Sequence, residues 1–204
     1  MGQHERAAAD HDLRPMAASI DPIDVPIPGL VVLIGAAGAG KSTLACRLFE
    51  PSEILSSDAL REAVSGDPTD QRATRPAFAI LQREVRRRLA NGRLVVVDAT
   101  NVTAQARASL RRLASTAGLP AIAIVLAPLP ADVHARNAGR TGRVVPTALV
   151  VRHLIALRAL GSSATALAAK LAAEGFTHTR VLRSVRELDT VTAVRRAGEL
   201  VRRP

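Results

Sequence analysis

The sequence predicts an α/β fold, a doubly wound parallel sheet, on three observations. From Leu30 onward, short apolar runs alternate with stretches of helical period, the pattern of repeated β-α units. The run LVVLI at 30–34 is apolar throughout, as a strand buried on both faces would be. That run leads through a glycine-rich turn, GAAGAGKST, directly into a helical pattern near 41–49.

Taken in order, residues 1–27 read as a flexible acidic N-terminal arm. Arg6 and Arg14 stand there against Glu5, Asp10, Asp12, Asp21 and Asp24, and the stretch ends in DPIDVPIP. Residues 28–204 read as a single domain, since 48% hydrophobic content over a chain of 204 residues is ample for one core. A short strand near 53–56 is expected next, with a small helix from Asp58. The polar loop SGDPTDQRAT precedes a longer helix starting about Pro76, a favoured first-turn residue. In that helix Phe78, Leu81, Val85 and Leu89 recur at three- and four-residue steps and are assigned to its buried stripe, with Arg86, Arg87 and Arg88 in solvent. Asn91-Gly92 ends it, and a strand at 94–97 closes on Asp98. A helix near 102–117 should turn Val102, Ala106, Leu110 and Leu113 inward, ahead of a strand at 121–126. Helices near 130–138, 147–159 and 162–174 surround an Arg-containing connection; a strand near 177–182 follows, and the tail from Ser184 is expected to add one amphipathic helix.

Four segments carry chemistry. Gly35, Ala36, Ala37, Gly38, Ala39, Gly40, Lys41 and Ser42 satisfy the Walker A pattern G-x-x-x-x-G-K-[ST], with Thr43 next in line. Such a P-loop curls backbone N–H groups around the β-phosphate of ATP, while its Lys neutralises β/γ oxygens and its Ser coordinates Mg2+. Asp98, at the end of a buried strand, fits the acidic residue that P-loop proteins place beside the magnesium; it fits equally an aspartate capping the next helix. In Ser56-Ser57-Asp58, also at a strand end, the carboxylate of Asp58 can take a proton from an attacking hydroxyl, or Ser57 or Asp58 can cap a helix. Arg61 lies one turn beyond Asp58, where it could hold an acceptor phosphate. The segment from Arg136 through Arg140 to Arg143 reads as a lid that delivers guanidinium groups to a transferring phosphoryl group, or as a plain exposed basic loop.

The motifs GAAGAGKST, ILSSDALRE, DPTDQRAT, VVVDATN, ARNAGRTGR and EGFTHTRVL, in this order across roughly residues 30–190, resemble the kinase module of bacterial polynucleotide kinase-phosphatase, an RNA-repair enzyme. The resemblance implies a P-loop phosphotransferase with a small helical lid that moves the γ-phosphate of ATP to a 5′-OH polynucleotide end. It also makes Lys41 and Ser42 the ATP–magnesium residues, Asp58 the general base and Arg61 an acceptor-phosphate ligand. Arg136 and Arg140 become lid arginines, Arg143 a further ATP contact, Gln71 an acceptor-side contact, and Ser184 to Glu187 neighbours of the adenine. Nothing in the chain resembles the metallophosphatase or ligase modules that accompany that kinase. A small-molecule kinase acting on a sugar, nucleoside or antibiotic is the nearest alternative, and an ATP-binding switch without a dedicated acceptor is another.

The formal net charge of +10 suits a polyanionic partner. The first 27 residues carry a formal −3, so about +13 sits on the remainder. Of the 28 basic residues 26 are Arg, which an Arg-rich coding bias would also produce. With Phe49, Phe78 and Phe176 as the only rings, a stacking platform for single-stranded bases is not expected, and nucleic acid would be read through its phosphates. No run of about 18 apolar residues free of charges or chain-breakers suggests a membrane span, and no secretory signal pattern opens the chain. The single cysteine, Cys46, excludes a disulfide framework, and no zinc spacing is present, so a cytoplasmic protein is expected.

Overall fold

The computed structural model describes residues 20–66, 71–140 and 144–197. In chain order the elements are β1 (Ile23–Ile27), β2 (Gly29–Gly35), α1 (Lys41–Leu48), β3 (Ile54–Ser56) and α2 (Ser57–Ser65). A single 3-10 turn (Gln71–Ala73) then leads into α3 (Thr74–Ala90), β4 (Leu94–Asp98), α4 (Ala104–Thr116) and β5 (Ala121–Leu126). The remainder comprises α5 (Pro130–Ala138), α6 (Thr147–Leu160), α7 (Ala164–Glu174), β6 (His178–Leu182), α8 (Val185–Thr190) and β7 (Ala193–Ala197).

Five strands form a parallel sheet in the order β3-β4-β2-β5-β6. Every residue of β2, β4 and β5 is buried, which is why those strands read as unbroken apolar runs. Successive side chains of β2 serve opposite faces. Leu30, Val32 and Ile34 meet Leu81, Val85 and Leu89 of α3, Leu110 of α4 and Leu171 of α7. Val31 and Leu33 meet Leu44 and Ala45 of α1, together with Phe49 and Leu188. Helices therefore cover both faces, and the predicted doubly wound sheet is the fold the chain adopts. Among the described residues no single helix is long and apolar enough to cross a membrane.

The expected arm divides. Residues 1–19 lie outside the described residues, whereas Ile23–Ile27, assigned to the arm, is a strand. Ile23 and Val25 point inward with Asp24 outward between them, an alternation of period two hidden among prolines. β1 pairs in parallel with β7, so the prolines sit on a two-stranded ribbon where a missing N–H is tolerated. The tail from Ser184 gives the expected helix, though a short one, followed by a strand. Arg196 pairs with Asp24 at 2.9 Å across the two strands of the ribbon, and Arg195 with Glu53 at 2.8 Å ties the ribbon to the body.

In two helices the buried face matches the expected one only in part. In α3 the buried stripe is Ala77, Leu81, Val85 and Leu89, which leaves Phe78 half-buried. In α4 the buried residues are Arg107, Leu110 and Ala114. Arg107 is 2% exposed, and its guanidinium donates to Glu174 at 2.6 and 2.8 Å and to the Asn101 carbonyl at 3.1 Å. A buried charge persists only when paired in this way.

Candidate active site

The Walker A segment joins β2 to α1 as a tight loop whose shape depends on two glycines. Gly38 has φ 85° and Gly40 φ 96°, a region that side chains disfavour, and a Cβ on Gly38 would meet the Val133 carbonyl oxygen at 2.7 Å. The loop is pinned from below where the Gly35 amide donates to the Thr100 carbonyl at 3.0 Å. Asn101, at φ 48°, donates to the Leu33 carbonyl at 2.8 Å and holds the stretch after β4 against the loop. Ala36 and Ala39 are buried, so their contribution to a ligand is confined to backbone groups.

Lys41 begins α1 and turns its ammonium back into the loop, donating to the carbonyls of Gly35 at 3.0 Å and Ala36 at 2.7 Å. Burial is the largest influence on it; Asp98 opposes and Arg140 reinforces the effect, and the group comes down to about 8. The next residue, Ser42, donates to the Asp98 carboxylate at 2.7 Å. Thr43 lines the same cleft. Asp98 does not cap α4; Thr103 does, accepting from the Ala106 amide. Among the described residues no three His, Cys, Asp or Glu side chains cluster as a metal cage. One carboxylate beside one hydroxyl is nonetheless a donor set that fits Mg2+, which keeps several waters and takes substrate phosphates as ligands.

Residue pairing along the sheet sets Ser56 level with Asp98, so α2 starts beside the loop. Ser56 is its N-cap, accepting from the Ala59 amide, and Asp58 lies in the first turn of the helix. Asp58 forms an ion pair with Arg61 one turn along the helix, and both line the cleft. Gln71 opens the 3-10 turn; its side chain lies outside the described residues.

Helices α5 and α6 cover the loop from the other side. Arg136 is half-buried, with a guanidinium nitrogen 3.5 Å from the Ala39 carbonyl oxygen, and Arg140 lies on the cleft wall. Arg143 lies outside the described residues. Asn137, 4% exposed, donates to the Val145 carbonyl at 2.8 Å and accepts from the Val145 amide at 3.1 Å, tying together the two ends of the Arg-containing connection. These residues enclose a cleft of about 760 Å³ that holds Lys41, Ser42 and Asp98 together with Asp58, Arg61, Arg136 and Arg140.

Three further contributions were not read from the sequence. His153 of α6 faces the loop, its Nδ1 accepting from the Ala37 amide at 3.5 Å. Burial first, then the charges of Lys41 and Arg152, lower its pKa and keep it neutral. A lone His in an apolar helix gives no local signal of this. Leu188 and Asp189 also line the cleft, directly after the Ser184 to Glu187 segment, which is occupied in a capping box. Arg47 holds this wall to α1 by donating to the carbonyls of Leu188 and Val191, both at 2.6 Å. Thr74 and Phe78 form the wall of the cleft on α3.

A family model described as AAA domain matches residues 30–160, the span from β2 to the end of α6. No curated protein matches the chain in sequence. Among solved structures, a gluconokinase from Sinorhizobium meliloti 1021 is similar at 22% identity and TM-score 0.51, over 82% of this chain and 89% of its own. A chain of the Pnkp1/Rnl/Hen1 RNA repair complex matches at 21% identity and TM-score 0.53, over 66% of this chain and 45% of that one. A chain of the PezAT toxin-antitoxin system of Streptococcus pneumoniae matches at 16% identity and TM-score 0.56, over 79% and 69%. At these identities the likeness is one of fold, and the fold is that of the P-loop kinases.

Proposed function

The chain belongs to the AAA domain family, and from that premise we propose that it is an ATP-dependent kinase that phosphorylates the 5′-hydroxyl end of RNA or DNA. One observation carries the reading. The Asp58–Arg61 pair, a base beside a cation, shares a cleft with Lys41 and the Ser42–Asp98 pair. A phosphate donor and a hydroxyl that neighbours a phosphate can thus be held face to face.

In the mechanism, Lys41 leaves its resting carbonyls for the β/γ-phosphate oxygens of ATP, and the P-loop amides take the β-phosphate. Leu188 and Asp189 border the adenine. Arg61 holds the acceptor's first phosphate, which frees the Asp58 carboxylate to accept the 5′-hydroxyl proton. The acceptor oxygen bonds to the γ-phosphorus, the bond from phosphorus to the β,γ-bridging oxygen breaks, and ADP departs. Arg136 and Arg140 offset charge on the moving phosphoryl group. Mg2+, held by Ser42 and Asp98, neutralises phosphate oxygens when bound. Arg143 as an ATP contact and Gln71 as an acceptor contact are carried over from the resemblance alone. An ATP-consuming enzyme with one free cysteine suits the cytoplasm.

Two further features support this reading: the succession of motifs resembles that of bacterial polynucleotide kinase-phosphatase, and an RNA repair complex is among the solved structures of like fold. A second reading, a small-molecule kinase, is favoured by the gluconokinase, whose likeness covers nearly all of that protein. An acceptor screen with ATP and Mg2+ decides between them. Transfer to 5′-OH oligonucleotides and nucleoside 3′-phosphates is expected. Transfer to gluconate or a free nucleoside with none to oligonucleotides would replace the polynucleotide reading, and transfer to nothing would favour an ATP-dependent switch.

A further inference from the structure

We propose that Phe78 and Thr74 form a pocket for the base of the acceptor's terminal nucleotide. The inference rests on the polynucleotide-kinase reading and adds the part of the acceptor held away from the reacting hydroxyl.

Two of the three aromatic rings are spent on the core, Phe49 at 5% and Phe176 at 4% exposure. Phe78 is not. The core side of α3 is complete without it, through Ala77, Leu81, Val85 and Leu89, and the half-buried ring lies instead on the cleft wall with Asp58 and Arg61. Thr74 stands one turn before Phe78 on the same helix and lines the same wall. Its buried Oγ1 has no hydrogen-bond partner among the described residues. An unmet hydroxyl one turn from an apolar ring on the same cleft wall suits a flat heterocycle that carries polar groups on its rim.

The neighbouring charges say which heterocycle. Arg61 suits a phosphate and Asp58 a hydroxyl, so the acceptor carries both, and in a nucleotide the base projects from the sugar between them. A sugar acid has no π-face to stack on Phe78. One ring stacks one base, and every base has a π-face, so the pocket requires a base without selecting which. Thr74 can donate or accept, and therefore also tolerates different base edges. The scarcity of rings argued against a stacking platform for single-stranded bases; Phe78, on the cleft wall, departs from that expectation by offering a seat for one base.

The test compares two 5′-OH oligonucleotides, one with a normal terminal nucleotide and one ending in a tetrahydrofuran abasic residue. For the wild-type protein the base-bearing oligonucleotide should show a KM about tenfold lower, the scale of a single stacking contact. Phe78→Leu should bring the two KM values together by raising that of the base-bearing oligonucleotide, and Phe78→Tyr should keep the preference. Thr74→Val should raise the KM of the base-bearing oligonucleotide severalfold without lowering the melting temperature, because it deletes a hydroxyl that has no partner in the free protein. KM for ATP and thermal melting, measured in parallel, separate loss of the pocket from loss of the fold. Equal KM values in the wild type, or equal rises for both oligonucleotides in Phe78→Leu, overturn the base pocket and leave the polynucleotide reading standing. Labelling of neither oligonucleotide overturns both.

Discussion

Ser42 and Asp98, 56 positions apart in the chain, meet in a 2.7 Å hydrogen bond where α1 begins and β4 ends. Two oxygens at that spacing beside a P-loop could give up their hydrogen bond to share a cation, the Ser42 hydroxyl keeping its proton. Asp98→Ala should lower kcat at least about a hundredfold, since the charge stabilisation a metal supplies is worth several kcal/mol. The rate measured against Mg2+ concentration should shift its midpoint upward. An unshifted midpoint would remove Asp98 from the metal site.

Lys41→Ala should abolish phosphotransfer and leave a folded protein, because the point charge on the phosphates is lost. The pH dependence follows from the position of Lys41 near 8 instead of its ordinary 10.5. Between those values the unfolded chain binds a proton that the folded chain does not, so the burden of the buried charge lifts as pH rises through this window. ATP reverses the preference by favouring the ammonium. Nucleotide binding should therefore take up part of a proton near pH 8.5 and weaken as pH climbs further, measured calorimetrically in buffers of different ionisation enthalpy. Lys41→Met should show no uptake.

Asp58→Asn should leave ATP binding in place and cut transfer by about two to four orders of magnitude, as an amide of the same shape is too weak a base. Arg61→Ala should erase most of the preference for a nucleoside 3′-phosphate over a free nucleoside. Steady-state kinetics with both acceptors check the pair. An active Asp58→Asn enzyme would point to a different proton acceptor.

Arg136→Ala and Arg140→Ala should reduce kcat more than they raise the KM of the acceptor, because charges on a lid act chiefly on the transition state. The opposite split, with KM rising at constant kcat, would assign them to docking.

Arg107→Ala should destabilise the fold by about 3 kcal/mol, since it strands the Glu174 carboxylate, 17% exposed, without its partner. Denaturant unfolding measures this. Arg107→Ala combined with Glu174→Ala should recover part of the loss.

The sheet was legible because strands buried on both faces must be apolar at every position, and the P-loop because its glycine spacing and Lys-Ser pair are set by backbone geometry. Features that depend on pairing across the whole chain were not. The ribbon of β1 and β7 joins residues some 170 positions apart, and its prolines mimic a linker. Phe78 shares the helical spacing of Leu81, yet Ala77, one step behind, fills the core; spacing gives the stripe's period but only loosely its phase. Arg107 was hidden for the converse reason, since nothing local foretells that Glu174 arrives to meet it. In the site, the glycine-rich loop was visible from its own residues, whereas the meeting of His153 with the P-loop amide arose only from how α6 packs.

The parallel pairing of Ile23–Ile27 with Ala193–Ala197 also orders events in time. A ribosome releases β1 first, and this strand must wait for its partner until some 170 further residues have been made, while the five-stranded sheet between them is already available. Closing so long a loop is slow, and the cleft wall at Leu188, held through Arg47, lies just upstream of β7. A nascent chain stalled before Ala193 should thus carry a nucleotide wall tied through Arg47 but not yet braced by the ribbon, and capacity to hold ATP firmly should be acquired late in synthesis.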